Sequence, residues 1–319
     1  MYTIGIDLGG TNIAAGIVDE NWNLILKDKV PTRAERGADE LVADMAELCR
    51  SLVKRTGLTF DDIAYVGVAV PGAFDPVTGV VKCCNNINMD LYPLADKLKA
   101  LLPISRVCLD NDANAAALAE ARIGAGKGAR DFVKITLGTG VGGGIVIDGK
   151  LYSGFNYFGG ELGHVTIEFG GRACSCGRKG CWEAYSSATA LVVMTKEEMQ
   201  AHPDSMMWEM CEGTLERASA RTAFDAAKRG DAAGARVVKT FIDYLACGLV
   251  NMINIFQPRV LCIGGGLCGE GDYLLNPLKE IVEREQYGAD AHGSEDKTVV
   301  RIAELGNDAG IIGAALLGA

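Results

Sequence analysis

Residues 3–19 read TIGIDLGGTNIAAGIVD, and residues 133–148 read VKITLGTGVGGGIVID. Each stretch predicts two short strands joined by a glycine-rich turn, because apolar runs flank residues that favour tight turns. The two stretches also align with each other, pairing Leu8 with Leu137. A duplicated domain is the simplest explanation, although two unrelated glycine-rich hairpins would also look alike.

Strands and helices alternate along the rest of the chain. Apolar spacing predicts helices over residues 38–56, 113–122, 187–257 (interrupted near Pro203 and Gly230) and 308–317, and strands over residues 63–70, 106–109 and 259–263. This alternation indicates layered α/β architecture rather than a helical bundle or a β-sandwich. The chain of 319 residues is longer than a single hydrophobic core usually accommodates, so we expect two domains.

Composition excludes several classes of partner. The formal net charge is −10 and no run of Lys and Arg occurs, which argues against a nucleic-acid partner or an anionic membrane surface. The eleven cysteines include apolar positions such as Cys247 and Cys262, which are typical of buried thiols in a reducing cytoplasm. No basic leader precedes the strand at Ile4 and no apolar run is long enough to span a bilayer, so we expect neither export nor membrane insertion.

One histidine and three cysteines have the spacing of ligands to a single metal ion. They are His164, Cys174, Cys176 and Cys181. Three cysteines and one histidine are a typical ligand set for zinc. Four protein ligands leave no open position for water, so the ion should be structural. Unrelated buried or redox-active thiols are the alternative. Glu161 and Glu183 flank the loop, and we expect the ion to hold these carboxylates where they can bind hydroxyl groups.

Three glycine-rich turns follow predicted strands. They contain Gly9, Gly10, Thr11 and Asn12; Gly138, Thr139 and Gly140; and Gly264, Gly265 and Gly266. Glycine lets the backbone approach a phosphate closely and offer its amides, although tight hairpins also require glycine. None of the turns has a Walker A or a Rossmann pattern. Asp7, at the end of the first strand, is the candidate ligand for Mg²⁺ beside the phosphates.

Asp112 is the candidate general base. It follows Asp110 and Asn111 at the junction between a strand and an alanine-rich helix. At such a junction an Asp can instead serve as the N-cap of the helix. The two roles are compatible, because a helix N-terminus keeps a carboxylate ionised and ready to accept a proton.

Together these motifs resemble the ROK (repressor, open reading frame, kinase) family of sugar kinases, and most of all its bacterial glucokinases. The resemblance rests on DLGGT at 7–11, DNDANAA at 110–116, LGTGVGGG at 137–144, GGELGH at 159–164, the cysteine loop and GNDAG at 306–310. It covers essentially the whole chain. It implies the fold of the hexokinase-type ATPase superfamily, with two actin-like (ribonuclease H-like) α/β domains around a central cleft. The expected domains are residues 1–115 with 301–319, and residues 116–300.

The resemblance also implies an activity, namely transfer of phosphate from ATP to the 6-hydroxyl of a hexose, with glucose the first choice. It assigns Asp112 as the base, and implies Mg²⁺ and structural Zn²⁺ as metals. The implied sugar-binding residues are Gly72, Asn86, Asn111, Asp112, Glu161, His164 and Glu183. The implied nucleotide-binding residues are Asp7, Gly9, Gly10, Thr11, Asn12, Gly138, Thr139, Gly140, Gly265 and Gly266. Related proteins are usually dimers or tetramers, so we expect a homodimer or a homotetramer.

Two alternatives stay open at this point. Similar glucokinases often carry an aromatic residue where this chain has Met89, so the substrate could be N-acetylmannosamine, N-acetylglucosamine, fructose or allose. The family also includes sugar-sensing transcriptional repressors. Those carry an N-terminal helix-turn-helix, whereas the first hairpin here begins by Ile4, and the acidic net charge opposes DNA binding.

Overall fold

In the computed structural model the described residues are 1–84, 87–288, 293 and 297–319. Within them the chain divides into two units, the first containing residues 1–132, 144–160 and 304–319, and the second containing residues 133–143 and 161–303. These bounds differ from the expected domains chiefly at residues 116–132 and 144–160, which group with the first unit.

The first unit is built on a five-stranded sheet. Its elements in chain order are β1 (Tyr2–Leu8), β2 (Asn12–Val18), β3 (Leu24–Pro31), α1 (Ala38–Thr56), β4 (Ile63–Val70), β5 (Ala73–Asp75), β6 (Val80–Cys83), α2 (Leu94–Leu101), β7 (Val107–Asn111) and α3 (Asp112–Arg122). The strand order is β3-β2-β1-β4-β7, and β1, β4 and β7 run parallel. Register places Asp7, Ala69 and Asp110 side by side, so both carboxylates lie at one edge of the sheet.

Helix α1 has the bounds that its sequence predicts. Leu41, Met45, Leu48 and Leu52 recur on one face and are buried against the sheet. Acidic residues occupy its first turn and basic residues its last turn, which complements the helix dipole. The helix ends at Gly57, whose φ of 71° is the left-handed conformation that glycine adopts without strain.

The remaining elements form a second sheet and a set of helices. They are β8 (Phe132–Leu137), β9 (Val141–Ile147), β10 (Lys150–Leu151), α4 (Glu183–Ser186), α5 (Ala188–Ala201), α6 (Met207–Met210), α7 (Thr222–Lys228), α8 (Ala232–Phe256), β11 (Val260–Gly264), α9 (Asp272–Glu285), β12 (Val299–Ile302) and α10 (Ala309–Leu316). The sheet order is β10-β9-β8-β11-β12, so the repeated hairpin is confirmed as β8–β9. The long helical region predicted over residues 187–257 is divided among α5, α6, α7 and α8.

Helix α8 is long and apolar enough to cross a membrane by length and composition. It is instead the core helix of the second unit, packed against α5, α7 and α9. Phe241, Leu245 and Leu249 on its inner face have no exposed surface. The apolar character of α8 is therefore explained by its burial in the second unit.

A buried carboxylate fixes the end of α3 to the segment that leads into α10. Glu120 has no exposed surface, and it accepts hydrogen bonds from the backbone amides of Ala125 at 2.9 Å, Glu304 at 3.1 Å and Leu305 at 2.8 Å. Because amides from both segments converge on one side chain, this arrangement fixes the two segments of the first unit together.

Candidate functional site

The first glycine turn, Gly9–Asn12, joins β1 to β2. Inside the turn the amide of Gly9 donates to the carbonyl of Asn12 at 3.0 Å. The fully buried Thr32, directly after β3, donates from its hydroxyl to the carbonyl of Gly9 at 2.6 Å and from its amide to the carbonyl of Thr11 at 2.9 Å. Sequence reasoning missed Thr32, because its partners lie more than twenty residues away along the chain.

Asp7 precedes this turn by two residues. Its partly buried position, followed by the negative charge of Asp112, raises the pKa of Asp7 to about 6. Two carboxylates so close together form an acidic site, and a hydrated divalent cation would offset the repulsion between their negative charges. The donor set therefore fits the Mg²⁺ predicted beside Asp7.

The junction between β7 and α3 corrects one interpretation of Asp112. The N-cap is Asn111, whose side-chain oxygen accepts from the amides of Ala113 at 2.9 Å and Asn114 at 3.4 Å. Asp112 is the first residue of the helix, and its carboxylate accepts from the amide of Ala113 at 2.8 Å. The cap role belongs to Asn111 because its extended backbone aims the side chain at the first helical amides. The carboxylate of Asp112 is exposed at the helix N-terminus.

Asp110 supports this junction from the strand. It accepts from the amide of Asn111 at 2.7 Å and from the side-chain amide of Asn114 at 2.8 Å. Burial nevertheless raises the pKa of Asp110 to about 6, because the loss of hydration outweighs these two bonds.

Gly72 lies beside the same junction. Its carbonyl accepts from the side-chain amide of Asn111 at 3.3 Å, and its φ of 93° favours glycine. The structure thus brings Gly72 to Asn111, next to Asp112, whose charge acts on Asp7. The predicted sugar-binding residue Asn86 lies outside the described residues.

The second glycine turn joins β8 to β9 and has different supports. The amide of Gly138 donates to the carbonyl of Gly140 at 3.0 Å. From the start of α5, the amide of Ala188 donates to the carbonyl of Gly138 at 2.9 Å and the hydroxyl of Thr189 donates to the carbonyl of Thr139 at 2.7 Å. These bonds hold the turn from the side of α5.

The third glycine turn lies directly against the end of β8. A side-chain carbon at Gly265 would come within 2.2 Å of the carbonyl oxygen of Leu137, so only glycine fits. Gly266 begins the short 3₁₀ helix that follows. The predicted residues Gly138, Gly265 and Gly266 are therefore neighbours in the second unit.

The four predicted metal ligands converge. The ligand atoms of His164, Cys174, Cys176 and Cys181 all lie within 4.8 Å of one another. The Nδ1 atom of His164 lies 3.6 Å from the sulfur of Cys174, and the sulfurs of Cys176 and Cys181 lie 3.6 Å apart. Tetrahedral zinc with Zn–S bonds of about 2.3 Å requires ligand separations of about 3.8 Å. The donor set and its spacing therefore fit zinc.

The thiols of this cluster differ in their surroundings. The backbone amide of Arg178 lowers the pKa of Cys176, whereas burial raises the pKa of Cys181 to about 12. A bound cation would favour the thiolate form at each position. The loop is also fixed to the core, since Glu168 accepts from the hydroxyl of Tyr244 at 2.8 Å.

The two flanking carboxylates are placed differently. Glu161 is exposed and precedes the 3₁₀ helix Leu162–His164. Glu183 is the first residue of α4, and its carboxylate accepts from the amide of Val141 at 2.9 Å and from the hydroxyl of Ser175 at 3.2 Å. One side chain thus connects the cysteine loop to the second glycine turn, a link that the sequence did not indicate.

The predicted site residues therefore form two groups. The first unit carries Asp7, Gly9, Gly10, Thr11, Asn12, Gly72, Asn111 and Asp112, and the second carries Gly138, Thr139, Gly140, Glu161, His164, Cys174, Cys176, Cys181, Glu183, Gly265 and Gly266. Each group combines backbone amides at a glycine turn with carboxylates, the chemistry expected of a site that handles phosphates and hydroxyl groups.

Comparison with known proteins agrees with this chemistry. The sequence profile of the ROK family matches residues 3–319. A glucokinase from Thermotoga maritima is 36% identical over 98% of this chain and 95% of its own length. A solved ROK family glucokinase from Streptomyces griseus, in complex with glucose and AMPPNP, is 33% identical with a TM-score of 0.79 and covers 99% of both chains.

A xylose repressor from Caldicellulosiruptor bescii is more distant, at 27% identity over 97% of this chain and 76% of its own length. The fold is the actin-like α/β fold of hexokinase-type kinases. The chain belongs to the ROK family.

Proposed function

We propose that this protein transfers the γ-phosphoryl group of ATP to the 6-hydroxyl of glucose. Full-length similarity to glucokinases supports the reaction class. The structural observation that carries the proposal is the exposed carboxylate of Asp112 on the first turn of α3, close enough to Asp7 to raise its pKa. This proximity supports Asp112 as the base and Asp7 as the ligand of the cation.

Asp112 would act as the general base. The amide of Ala113 and the helix N-terminus favour its ionised form, so it can accept the proton of the 6-hydroxyl as that oxygen attacks the γ-phosphorus. Phosphoryl transfer needs little covalent help from the protein, so correct alignment of the two oxygens supplies most of the remaining catalysis.

The nucleotide would be held by backbone amides of the glycine turns and by Asp7 through Mg²⁺. When bound, that cation neutralises charge on the phosphates. The protein is acidic overall, so local amides and a cation, rather than a basic surface, must offset the charge of ATP. The residues proposed for this role are Asp7, Gly9, Gly10, Thr11, Asn12, Gly138, Thr139, Gly140, Gly265 and Gly266.

The residues proposed to bind the sugar hydroxyls are Gly72, Asn86, Asn111, Asp112, Glu161, His164 and Glu183. Asn111 would offer only its side-chain N–H groups, because its oxygen already caps α3. A zinc ion at His164 and the three cysteines would be structural and would hold the loop between Glu161 and Glu183.

Met89 gives little reason to change the substrate. It is 1% exposed and belongs to the apolar core of the first unit, so its identity affects core packing. We therefore keep glucose, with N-acetylmannosamine, N-acetylglucosamine, fructose and allose as alternative substrates.

A kinetic panel tests the assignment. The purified protein with MgATP should give its highest kcat/KM with glucose, and ³¹P NMR of the product should show the 6-phosphate. A higher kcat/KM for fructose or an N-acetylated hexosamine would make the glucose assignment wrong and leave the kinase assignment standing. Failure with every sugar would overturn the kinase assignment.

A cytoplasmic homodimer or homotetramer completes the proposal. The eleven cysteines all lie in the described part of the chain and none is in a disulfide there, which is compatible with a reducing compartment. Light scattering of the purified protein measures the oligomeric state directly. A monomer would contradict the proposed homodimer or homotetramer.

A further inference from the structure

The carboxylate of Glu183 touches both the metal loop and the second glycine turn. One oxygen accepts from the amide of Val141 at 2.9 Å. The other accepts from the hydroxyl of Ser175 at 3.2 Å and lies 3.8 Å from the sulfur of the predicted ligand Cys174. A movement of the loop therefore reaches the amide of Val141 through a single side chain.

The fit on the side of the turn is tight. A side-chain carbon at Gly140 would lie 2.2 Å from the Val141-bound oxygen of Glu183, so the carboxylate occupies the space that any larger residue at position 140 would need. The carboxylate thus defines the path of the backbone through Gly140. The other supports of this turn, Ala188 and Thr189, come from α5 and have no bond to the metal loop in the described residues.

We propose that Glu183 is a positioning residue that couples metal binding at the cysteine loop to nucleotide binding at the turn Gly138–Gly140. The inference rests on the proposed function, because the ligand of the turn is taken to be a nucleotide phosphate. With zinc bound, Ser175 and Cys174 are fixed and hold the Glu183 carboxylate against Val141. Without zinc the loop loosens, the carboxylate loses its place, and the turn presents its amides less accurately.

Coupling of this kind is reciprocal. If zinc tightens nucleotide binding by a given factor, the nucleotide must tighten zinc binding by the same factor. Coupling between sites typically amounts to about 5-fold to 150-fold, and we expect about 10-fold here because α5 still supports the turn without the metal.

The experiment measures the dissociation constant of AMPPNP with Mg²⁺, without sugar, for zinc-loaded and chelator-treated protein. Omitting the sugar removes any contribution of Glu183 to sugar binding. In the wild type, chelation should raise the Kd about 10-fold. In Glu183→Ala the Kd should already be raised with zinc bound, and chelation should change it less than about 2-fold, since the connection is gone.

Thr189→Val is the matched control, because it removes a support of the same turn that does not involve the loop. Its Kd should rise in both metal states while the ratio between them stays near the wild-type value. Equal ratios in wild type and Glu183→Ala, or a wild-type ratio of one, would overturn the coupling.

A second readout needs neither nucleotide nor metal removal. Hydrogen exchange at the amide of Val141 in the zinc-loaded protein should quicken in Ser175→Ala, which keeps all four metal ligands and cuts only the loop side of the connection. Unchanged exchange would overturn the coupling even if chelation unfolds the protein. Failure of zinc-loaded wild type to bind AMPPNP, with exchange behaving as expected, would instead contradict the proposed function while the mechanical link stands.

Discussion

The two glycine hairpins share a sequence pattern but are held by different chemistry. The turn of the first is fixed by Thr32, a buried neutral side chain that extends from the neighbouring strand β3. The turn of the second is fixed by Thr189 and by the carboxylate of Glu183, which also bonds to the metal loop. Two copies of a repeat can therefore keep the same hairpin while different side chains from the surrounding fold hold its turn in place.

This difference separates the expected roles. The first hairpin shares its unit with Asp7 and Asp112, so changes there should have the same effect with and without zinc. The second hairpin shares its unit with the cysteine loop, so changes there should act on binding and should depend on metal. Each experiment below tests one side of this separation.

The largest effect is expected for Asp112→Asn. The variant keeps size and shape but cannot accept a proton at neutral pH, so kcat should fall by at least about 100-fold. AMPPNP affinity should change far less, and steady-state kinetics with binding measurements would show this split. A folded variant that retained more than about a tenth of the wild-type rate would remove Asp112 from the mechanism.

Asn111→Ala is the control for that experiment. Because Asn111 is the N-cap of α3, its loss should lower stability by about 0.5–2 kcal/mol, whereas Asp112→Asn should leave stability nearly unchanged. Thermal unfolding of the two variants would distinguish the cap from the base. A larger loss in Asp112→Asn than in Asn111→Ala would contradict the assignment of the cap.

A smaller effect is expected for Cys176→Ala, which tests whether the cysteine loop beside the second hairpin binds a metal ion. Wild-type protein should contain one zinc per chain, and the variant should bind it at least about 10-fold more weakly because one ligand is lost. Metal analysis and chelator competition measure both quantities. Cys83→Ala, at an exposed cysteine outside the cluster, should retain full zinc content. Wild-type protein with well under one zinc per chain would refute the metal site.

Thr32→Val tests whether the first hairpin is independent of zinc. It removes the hydroxyl that bonds Gly9, which should cost about 1 kcal/mol of stability and weaken AMPPNP binding a few-fold, equally with and without zinc. Calorimetry in both metal states is the measurement. Thr59→Val, which alters an exposed capping residue elsewhere, should leave the affinity unchanged. A zinc-dependent effect of Thr32→Val would break the separation between the hairpins.

The last prediction concerns the pH dependence of stability. The pKa of Asp110 is about 6 in the folded chain and about 3.9 when unfolded, so the folded state binds the proton more tightly and stability falls as pH rises between these values. Asp110→Asn keeps an oxygen for Asn111 and Asn114, and should gain up to about 3 kcal/mol above pH 6 and almost nothing near pH 4. Unfolding curves at several pH values would show it, and a pH-independent difference would contradict it.

Local patterns predicted the elements and the metal cluster well. Helix α1 and strand β4 have the bounds expected from residues 38–56 and 63–70, because strong periodicity ends there at glycine or proline. The metal ligands were found because all four lie within eighteen residues of sequence. The roles of the candidate site residues in binding sugar and nucleotide stay predictions.

Long-range contacts account for what the sequence did not reveal. Glu183 meets Val141 across 42 positions and Thr32 meets Gly9 across 23, and no local period encodes either pair. The sequence could not show that the N-cap of α3 is Asn111 rather than Asp112. Asp and Asn are both good caps, and the backbone angles of the residue decide which one acts as the cap.

The carboxylate of Glu120 has a consequence for how this sequence can diverge. It accepts hydrogen bonds from the main-chain amides of Ala125, Glu304 and Leu305, so these bonds do not depend on the identity of the side chain at those positions. The number of residues in each loop is not free, because one insertion or deletion would carry an amide out of reach. We therefore expect homologues that keep this glutamate to conserve the lengths of these loops.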